Sequence, residues 1–372
     1  MTYFPSSYEE SRERFRLSLG LLRSKWPGAR LENHPLKEFP DLTIDWIWAE
    51  PRKKENIVIV STAQHGVEGF VGSAMQYLFM QEFLPRLNSE TTGLLLVHAI
   101  NPWCMKHRQR YNPNNVDLNR NFIPARNYDP TINPLYPEIR NLLVPQRRIN
   151  SIFGESLRLA ISIIMLLAHH GLKASRDGIF MGQYIDPDGF YFGGQECQEE
   201  TTVMMELLHK AMCDYQTIIH LDMHSGYGPR YQMCLSNPPN DPLSSAEFAA
   251  KFNYPLVVKA NPDESYTMLG DMLDYGYHLR ETEFPDKQVL ATCFEFGAFG
   301  DSLLAGIRIL RAEVMDKQLS DHGAKNETIA RAVRREYEEL FFPAETRWRE
   351  KALADARQAF NGILSAYHLI SK

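Results

Sequence analysis

Five short runs rich in β-forming residues recur along the chain, and helical patterns separate them. The runs lie at residues 57–61, 94–98, 217–221, 256–259 and 289–294. The helical patterns lie at residues 72–84, 201–215, 243–252 and 303–314. Strands of this length that alternate with helices are typical of proteins in which helices cover a parallel sheet. The sequence therefore predicts an α/β fold of three layers, α/β/α, with a mixed and largely parallel central sheet.

The domain organisation is predicted to be a single domain over residues 1–372. A chain of 372 residues that is 44% hydrophobic can form one large core. Residues 123–200 differ from the rest, because proline-punctuated loops surround one apolar helical run. We expect an insertion over one face of the sheet, and its proline- and aromatic-rich composition suggests that it narrows access to a site. Residues 325–372 are predicted to form a charge-rich C-terminal helical segment with a solvated face.

Charge and composition argue against several classes of partner. Lys and Arg total 40 and Asp and Glu total 46, which gives a net charge of −6 and no basic excess for nucleic acid. The N-terminal residues do not form a signal-peptide pattern. The apolar run at 160–168 is well short of the roughly 20 residues that cross a bilayer, so we interpret it as a buried helix and expect no membrane partner. Five scattered cysteines without CxxC spacing are typical of reduced thiols, which indicates a cytoplasmic protein.

Two of the β-rich runs are followed by residues that bind metals. His65 and Glu68 lie three residues apart after the run at 57–61, and His224 follows the run at 217–221. Open α/β sheets place ligand sites beyond the ends of their strands. Two histidines and one carboxylate match a catalytic zinc site, in which a fourth position stays open. His220 lies within its run and is interpreted as a core histidine.

Two further segments carry polar residues in unusual places. Glu295 stands in the apolar run VLATCFEFG, where an acidic side chain is costly unless it is paired with a cation or functional. Burial would raise its pKa toward the range of a general base. The segment from Asn101 to Phe122 is rich in Asn and Arg, which can polarise a carbonyl or bind a carboxylate. Its arginines could equally be surface charges.

Together these segments resemble the zinc carboxypeptidase superfamily, which contains metallocarboxypeptidases and deacylases of the succinylglutamate desuccinylase–aspartoacylase type. The shared order is H-x-x-E, an Asn–Arg motif, a single His and then a Glu. The sequence NVDLNRNF at 115–122 is similar to the family's D-L-N-R-N-F signature, and DMHS at 222–225 is similar to D-L-H-S. The resemblance covers roughly residues 55–300. It is nearest to an intracellular branch described as a domain of unknown function (DUF2817-like).

The resemblance implies a set of catalytic roles. One Zn²⁺ ion is expected on His65, Glu68 and His224. Glu295 is expected to be the general base and acid, and Arg110 is expected to polarise the scissile carbonyl.

Other roles implied by the resemblance concern the substrate and the support of the ligands. Asp117 is expected to orient a zinc-bound histidine. Asn119 and Arg120 are expected to bind a terminal carboxylate, and Ser225 to contact the substrate beside the metal. Tyr266, eight residues before Asp274, is expected to be the tyrosine that caps the substrate. By the same alignment, Leu273 is expected to line the specificity pocket.

These roles predict a zinc-dependent hydrolase that cleaves an amide bond next to a free carboxylate. The first interpretation is a metallocarboxypeptidase that acts on short peptides. The alternative is an N-acyl amino acid deacylase of the aspartoacylase or desuccinylase type. A third interpretation is a non-catalytic zinc-binding protein with the same fold.

Overall fold

The computed structural model describes residues 3–259 and 268–370, apart from the side chain of Arg126. The described strands are β1 (Arg30–Pro35), β2 (Thr43–Ala49), β3 (Asn56–Thr62), β4 (Thr92–His98), β5 (Thr217–Gly226), β6 (Met233–Asn237), β7 (Val257–Lys259) and β8 (Gln288–Gly297). The described α-helices are α1 (Tyr8–Leu17), α2 (Leu19–Arg23), α3 (Glu68–Glu82), α4 (Pro102–His107), α5 (Tyr136–Leu143), α6 (Ile152–Phe180), α7 (Glu199–Asp214), α8 (Ser245–Phe252), α9 (Met272–Thr282), α10 (Leu303–His322), α11 (Glu327–Phe341) and α12 (Thr346–Ala366). Short 3₁₀ helices lie at Leu84–Arg86, Leu118–Arg120 and Pro124–Arg126.

One mixed sheet of eight strands forms the centre of the described structure, in the order β1-β2-β4-β3-β5-β8-β6-β7. The four central strands β4, β3, β5 and β8 are parallel, whereas β1, β2 and β6 add antiparallel pairings on either side. This topology confirms the predicted α/β class with a mixed sheet. All five predicted runs lie in strands; β5 continues to Gly226, so His224 lies inside the strand.

The central strands bury both of their faces. Successive side chains of a strand point to opposite sides, and Val58 and Val60 of β3 therefore pack in one apolar cluster while Ile57 and Ile59 pack in another. The first cluster includes α3 and α12, and the second includes α7. Helices thus cover the sheet on both sides, which confirms the three layers.

Helix α6 corrects one prediction from the sequence. The helix exists, but only 17% of its most apolar 18-residue window is buried, so it is not the buried helix that we expected. It is also longer than the apolar run, with 29 residues. It is the one helix of the described part of the chain that is long and apolar enough to cross a membrane, judged by length and composition alone. Gly171, at φ 76° and ψ 172°, breaks its path.

The insertion forms its own small core beside the sheet. Leu159, Ile163 and Leu166 of α6 pack with α5 and with Leu310 and Val314 of α10. An isolated parallel β-bridge also joins Ile149 to Ala324, just beyond α10. The core of the insertion therefore rests on α10.

The Asn- and Arg-rich segment from Asn101 to Phe122 is held in place by contacts to the start of α7. Asn112 Nδ2 donates to Gln198 Oε1 at 3.0 Å and lies 3.4 Å from both carboxylate oxygens of Glu200. Glu200 is 3% exposed. Burial raises the pKa of Glu200 to about 7, above its ordinary value of 4.5.

This raised pKa predicts a pH-dependent cost to stability. The folded protein keeps a proton on Glu200 that the unfolded chain releases, so ionised Glu200 destabilises the fold increasingly as the pH rises from 4.5 to 7. We expect Glu200→Gln to raise the free energy of unfolding by about 3 kcal/mol at pH 8 and by about 1 kcal/mol at pH 5. Urea unfolding at both pH values measures the difference. Glu206→Gln, at an exposed position of the same helix, is the control and should change neither value.

Candidate metal centre

The first two candidate ligands lie where β3 gives way to α3. His65 lies in the connecting turn, and Glu68 is the first residue of the helix. The turn is packed so closely that a Cβ at Gly66 would lie 2.0 Å from the carbonyl oxygen of Cys104 and 2.4 Å from that of Gln109. The Gly66 amide also donates to the Gln109 carbonyl at 3.0 Å. Only glycine fits there, and the spacing of His65 and Glu68 is fixed as a result.

The neighbouring strands β5 and β8 supply the other side of the centre. His224 and Glu295 are partners in the parallel register of these strands. Because side chains alternate, Asp222 and His224 share one face of β5, while Leu221 and Met223 pack in the apolar cluster on the other face.

Three donor groups meet in this space. His65 Nδ1 lies 2.9 Å from Glu68 Oε1, and His224 Nδ1 lies 3.0 Å from Glu68 Oε2. One donor atom from each residue lies within 4.8 Å of the others, and all three residues are buried. The other ring nitrogens face carboxylates: His65 Nε2 lies 3.0 Å from Asp117 Oδ1, and His224 Nε2 lies 2.7 Å from Asp222 Oδ2.

This arrangement fits a zinc ion by its donor chemistry. With a metal ion bound, the carboxylate against each Nε2 would fix the tautomer, so that each Nδ1 would present its lone pair to the ion. Burial alone would raise the pKa of Glu68, but His65 and His224 hold that pKa below its ordinary value. Glu68 is therefore a carboxylate. Two imidazoles and one carboxylate are the donors of catalytic zinc sites.

Glu295 lies in the wall of the same pocket. Its Oε1 accepts a hydrogen bond from the backbone amide of Tyr227 at 3.1 Å. Burial and the nearby charge of Glu68 raise the pKa of Glu295 to about 8. Among the described residues no arginine forms a hydrogen bond or ion pair with Glu295, and the charge of Arg110 in the same pocket lowers its pKa by less than burial raises it.

Arg110 is buried and held by two acids. Its Nε donates to Asp117 Oδ2 at 2.9 Å, and its Nη1 donates to Glu313 Oε1 at 3.3 Å. Its guanidinium also lies 4.8 Å from the ring centre of Tyr191. The alternative of a surface charge is therefore wrong for Arg110, which lines the pocket beside Glu68.

Asn119 and Arg120 also lie in the pocket wall. Asn119 Oδ1 accepts from the backbone amide of Met272 at 3.2 Å. Arg120 is 1% exposed and donates to the carbonyl oxygens of Asn119 and Phe180, at 3.0 and 2.7 Å. Its Nε is buried and has no hydrogen-bond partner among the described residues. This Nε lies beside Gly182, where a Cβ would come within 3.0 Å of it.

Some predicted residues lie elsewhere. The hydroxyl of Ser225 donates to the carbonyl of Phe341 at 2.6 Å, on the face of β5 opposite to that of His224. In this orientation the Ser225 side chain does not contact a substrate beside the metal group. Its backbone amide donates to Glu68 Oε2 at 3.0 Å instead. Tyr266 lies outside the described residues. Leu273 does line the pocket. His220 is buried beside Ser61 and takes no part in the metal group, as expected of a core histidine.

The insertion does not form the wall that we expected. Among the described residues of 123–200, none lines the pocket; residues 236–239 do so instead. The insertion instead contacts the two arginines of the pocket wall. The ring of Tyr191 packs against Arg110 and Arg120, and the carbonyl of Phe180 accepts a hydrogen bond from Arg120.

Sequence reasoning missed Asp222 and Glu313. Asp222 could have been found, because it lies two residues before His224 and must share its face of the strand. Glu313 is 203 residues from Arg110 in the chain, and α10 carries no motif that indicates this contact. Two more acids of the pocket wall, Asp271 and Asp274, were also not predicted as site residues.

A family model described as "Protein of unknown function (DUF2817)" matches residues 4–355. No curated protein matches the chain.

Among solved structures, bovine thrombin-activatable fibrinolysis inhibitor in complex with tick carboxypeptidase inhibitor is similar at 14% identity and a TM-score of 0.46, over 88% of this chain and 99% of that chain. Carboxypeptidase A from Helicoverpa armigera is similar at 13% identity and a TM-score of 0.48, over 84% and 72%. An aspartoacylase family protein from Mesorhizobium loti is similar at 16% identity and a TM-score of 0.37, over 81% and 69%. Identities of 13–16% and TM-scores below 0.5 support no statement about the activity of this chain.

The contact between Asp222 and His224 predicts a loss of metal affinity when it is weakened. Asp222→Asn removes the negative charge from His224 Nε2 and makes the imidazole a poorer donor. We expect the dissociation constant for Zn²⁺ to rise about 10- to 100-fold, measured by competition with a chromophoric chelator. Asp274→Asn is the control, because Asp274 lines the pocket without touching either histidine. Equal affinities of Asp222→Asn and the control would contradict this role.

Proposed function

The chain belongs to the DUF2817 family, and we propose that it is a zinc-dependent hydrolase that cleaves an amide bond next to a free carboxylate. Among substrates of this chemistry, short peptides cleaved at their C-terminal bond are the first choice. The observation that carries the proposal is the buried group of His65, Glu68 and His224, in which each histidine has a carboxylate on its second nitrogen.

The pocket beside this group supplies the other parts of a hydrolytic site. A zinc ion held by these three residues would polarise a water molecule and the substrate carbonyl. Glu295 is the side chain placed to take the proton of the attacking water and to pass it to the leaving amine. A bound dication also favours the charged form of Glu295, against the burial that raises its pKa.

Arg110 is the group proposed to stabilise the negative charge that develops on the carbonyl oxygen. Its guanidinium is fixed by Asp117 and Glu313, so little reorganisation is needed during the reaction. Asp117 therefore has two functions, since it contacts both His65 and Arg110. The metal group and the arginine are oriented by the same carboxylate.

Asn119 and Arg120 are proposed to bind the free carboxylate of the substrate. The position of both residues in the pocket wall supports this role. Arginine binds carboxylates with directional, charge-assisted hydrogen bonds. The same pair could hold the carboxylate of an N-acyl amino acid, which keeps the deacylase as the alternative activity.

Removal of the proposed base tests whether the site is catalytic. We expect Glu295→Gln to retain one zinc ion per chain and to lower kcat by about 100-fold or more, because proton transfer is lost while the ligands remain. Turnover of a peptide panel and metal analysis of the same preparations measure the two properties. Glu350→Gln, an exposed position, is the control. If wild-type protein loaded with zinc cleaves no substrate of either class, the non-catalytic interpretation is correct.

A matched pair of substrates tests the role of the free carboxylate. We expect a short peptide with a free C-terminus to be cleaved with a kcat/KM about 100-fold or more above that of its C-terminal amide, because the amide cannot pair with Arg120. N-acyl amino acids are assayed in parallel. Activity confined to the N-acyl amino acids would replace the peptidase with the deacylase, and equal rates on acid and amide would contradict carboxylate binding.

A further inference from the structure

Helix α6 presents a row of large apolar side chains to solvent, which we call the α6 face. Spacings of three and four residues place them on one side of the helix. Their exposed fractions range from 48% to 77%. The members are Phe153, Leu157, Ile161, Ile164 and Met165.

The α6 face is not part of the core. The opposite side of the helix carries Leu159, Ile163 and Leu166, which are buried against α5 and α10. Two further leucines, Leu303 and Leu304, are 64% and 78% exposed at the start of α10. A row of large, exposed apolar side chains on one helix marks a site that binds a membrane or another protein.

Charges along α6 distinguish these two kinds of partner. Arg148 and Lys173 are exposed near the two ends of the face, and no contact to an acidic group is described for either. Arg158, between them, pairs with Glu155, which is itself 9% exposed. Glu138 of α5 is held by His170 at 3.1 Å. Arg148 thus gives one end of the α6 face a basic side chain, and Lys173 does so at the other end, where Glu138 adds an acidic one.

This distribution disfavours a second copy of the chain. An antiparallel pair of α6 helices centred near Ile161 would bring the start of each helix, which Arg148 precedes, near the break of the other, which Lys173 follows, and like charges so placed repel. Anionic lipid headgroups would instead meet basic side chains at both ends of an apolar face.

We propose that the α6 face binds the surface of a membrane that contains anionic lipids, with the helix lying along the surface. Before the break at Gly171 the helix is about 28 Å long. Its other side remains packed on α10, so it lies on the membrane and does not cross it. The proposal replaces the expectation of no membrane partner and does not depend on the proposed hydrolase activity.

Vesicle flotation of the full chain tests the proposal. The vesicles consist of phosphatidylcholine alone or of phosphatidylcholine with phosphatidylglycerol at about 3:1, a composition with a negative surface. We expect the wild type to float with the anionic vesicles and to float less with neutral vesicles or in high salt. The triple variant Leu157→Ser/Ile161→Ser/Ile164→Ser should lower the bound fraction about tenfold or more.

Two further variants separate the contributions. Arg148→Gln/Lys173→Gln should reduce binding to anionic vesicles and leave binding to neutral vesicles unchanged. Leu17→Ser, which alters a side chain that is 73% exposed on α1, should behave as the wild type. All altered side chains are exposed, so thermal unfolding should be unchanged within a few degrees.

Three results would overturn the proposal. The first is a wild type that does not float with anionic vesicles. The second is a triple variant that floats as well as the wild type. The third is a wild-type dimer, detected by light scattering, that the triple variant converts to monomers without any vesicle binding; the α6 face would then be a subunit interface.

Discussion

The carboxylate of Glu68, buried between two imidazoles, is the interaction on which the rest of the site depends. Its oxygens lie 2.9 and 3.0 Å from the Nδ1 atoms of His65 and His224. Asp117 and Asp222 stand behind the same histidines. Buried carboxylates are costly unless cations balance them. Arg110 contacts Asp117, and the two histidines lie between Glu68 and the other two carboxylates. A dication held by His65, Glu68 and His224 would add counter-charge to this cluster, and its binding would then stabilise the folded protein.

The parallel strands at the centre of the sheet position these side chains. Three separate segments of the chain converge there because β3, β5 and β8 are adjacent and end at the same edge. This part was predictable in outline, since His65 and His224 follow apolar runs and Glu295 interrupts one; in the sheet, His65 follows β3, whereas His224 and Glu295 lie near the ends of β5 and β8. The identity of the ligand set followed from residue type, and the order of the motifs strengthened it. The register that pairs His224 with Glu295 is a property of the assembled sheet.

What the sequence did not reveal depends on tertiary packing. The periodicity of α6 indicates a helix but not which neighbour covers it, and an apolar run alone does not distinguish a buried helix from an exposed one. Ser225 follows His224 directly, so alternation along β5 turns its hydroxyl away from the metal group toward Phe341. Glu313 reaches Arg110 from α10, across 203 residues. In each case the side chain's role is set by an element far away in the chain.

The insertion both carries the α6 face and contacts the two arginines of the pocket wall. Helix α6 presents its apolar face to solvent and ends at Phe180, whose carbonyl accepts a hydrogen bond from Arg120 at 2.7 Å. Ser175 Oγ donates to the carbonyl of Leu166 at 3.3 Å, although nine residues of straight helix would separate them by about 13 Å. The chain therefore folds back at Gly171, and the short final segment returns from the exposed end of α6 to the pocket. Tyr191, further along the insertion, lies 4.8 and 5.1 Å from Arg110 and Arg120. A surface that binds the α6 face would thus contact a helix whose last residue, Phe180, accepts a hydrogen bond from Arg120 in the pocket wall.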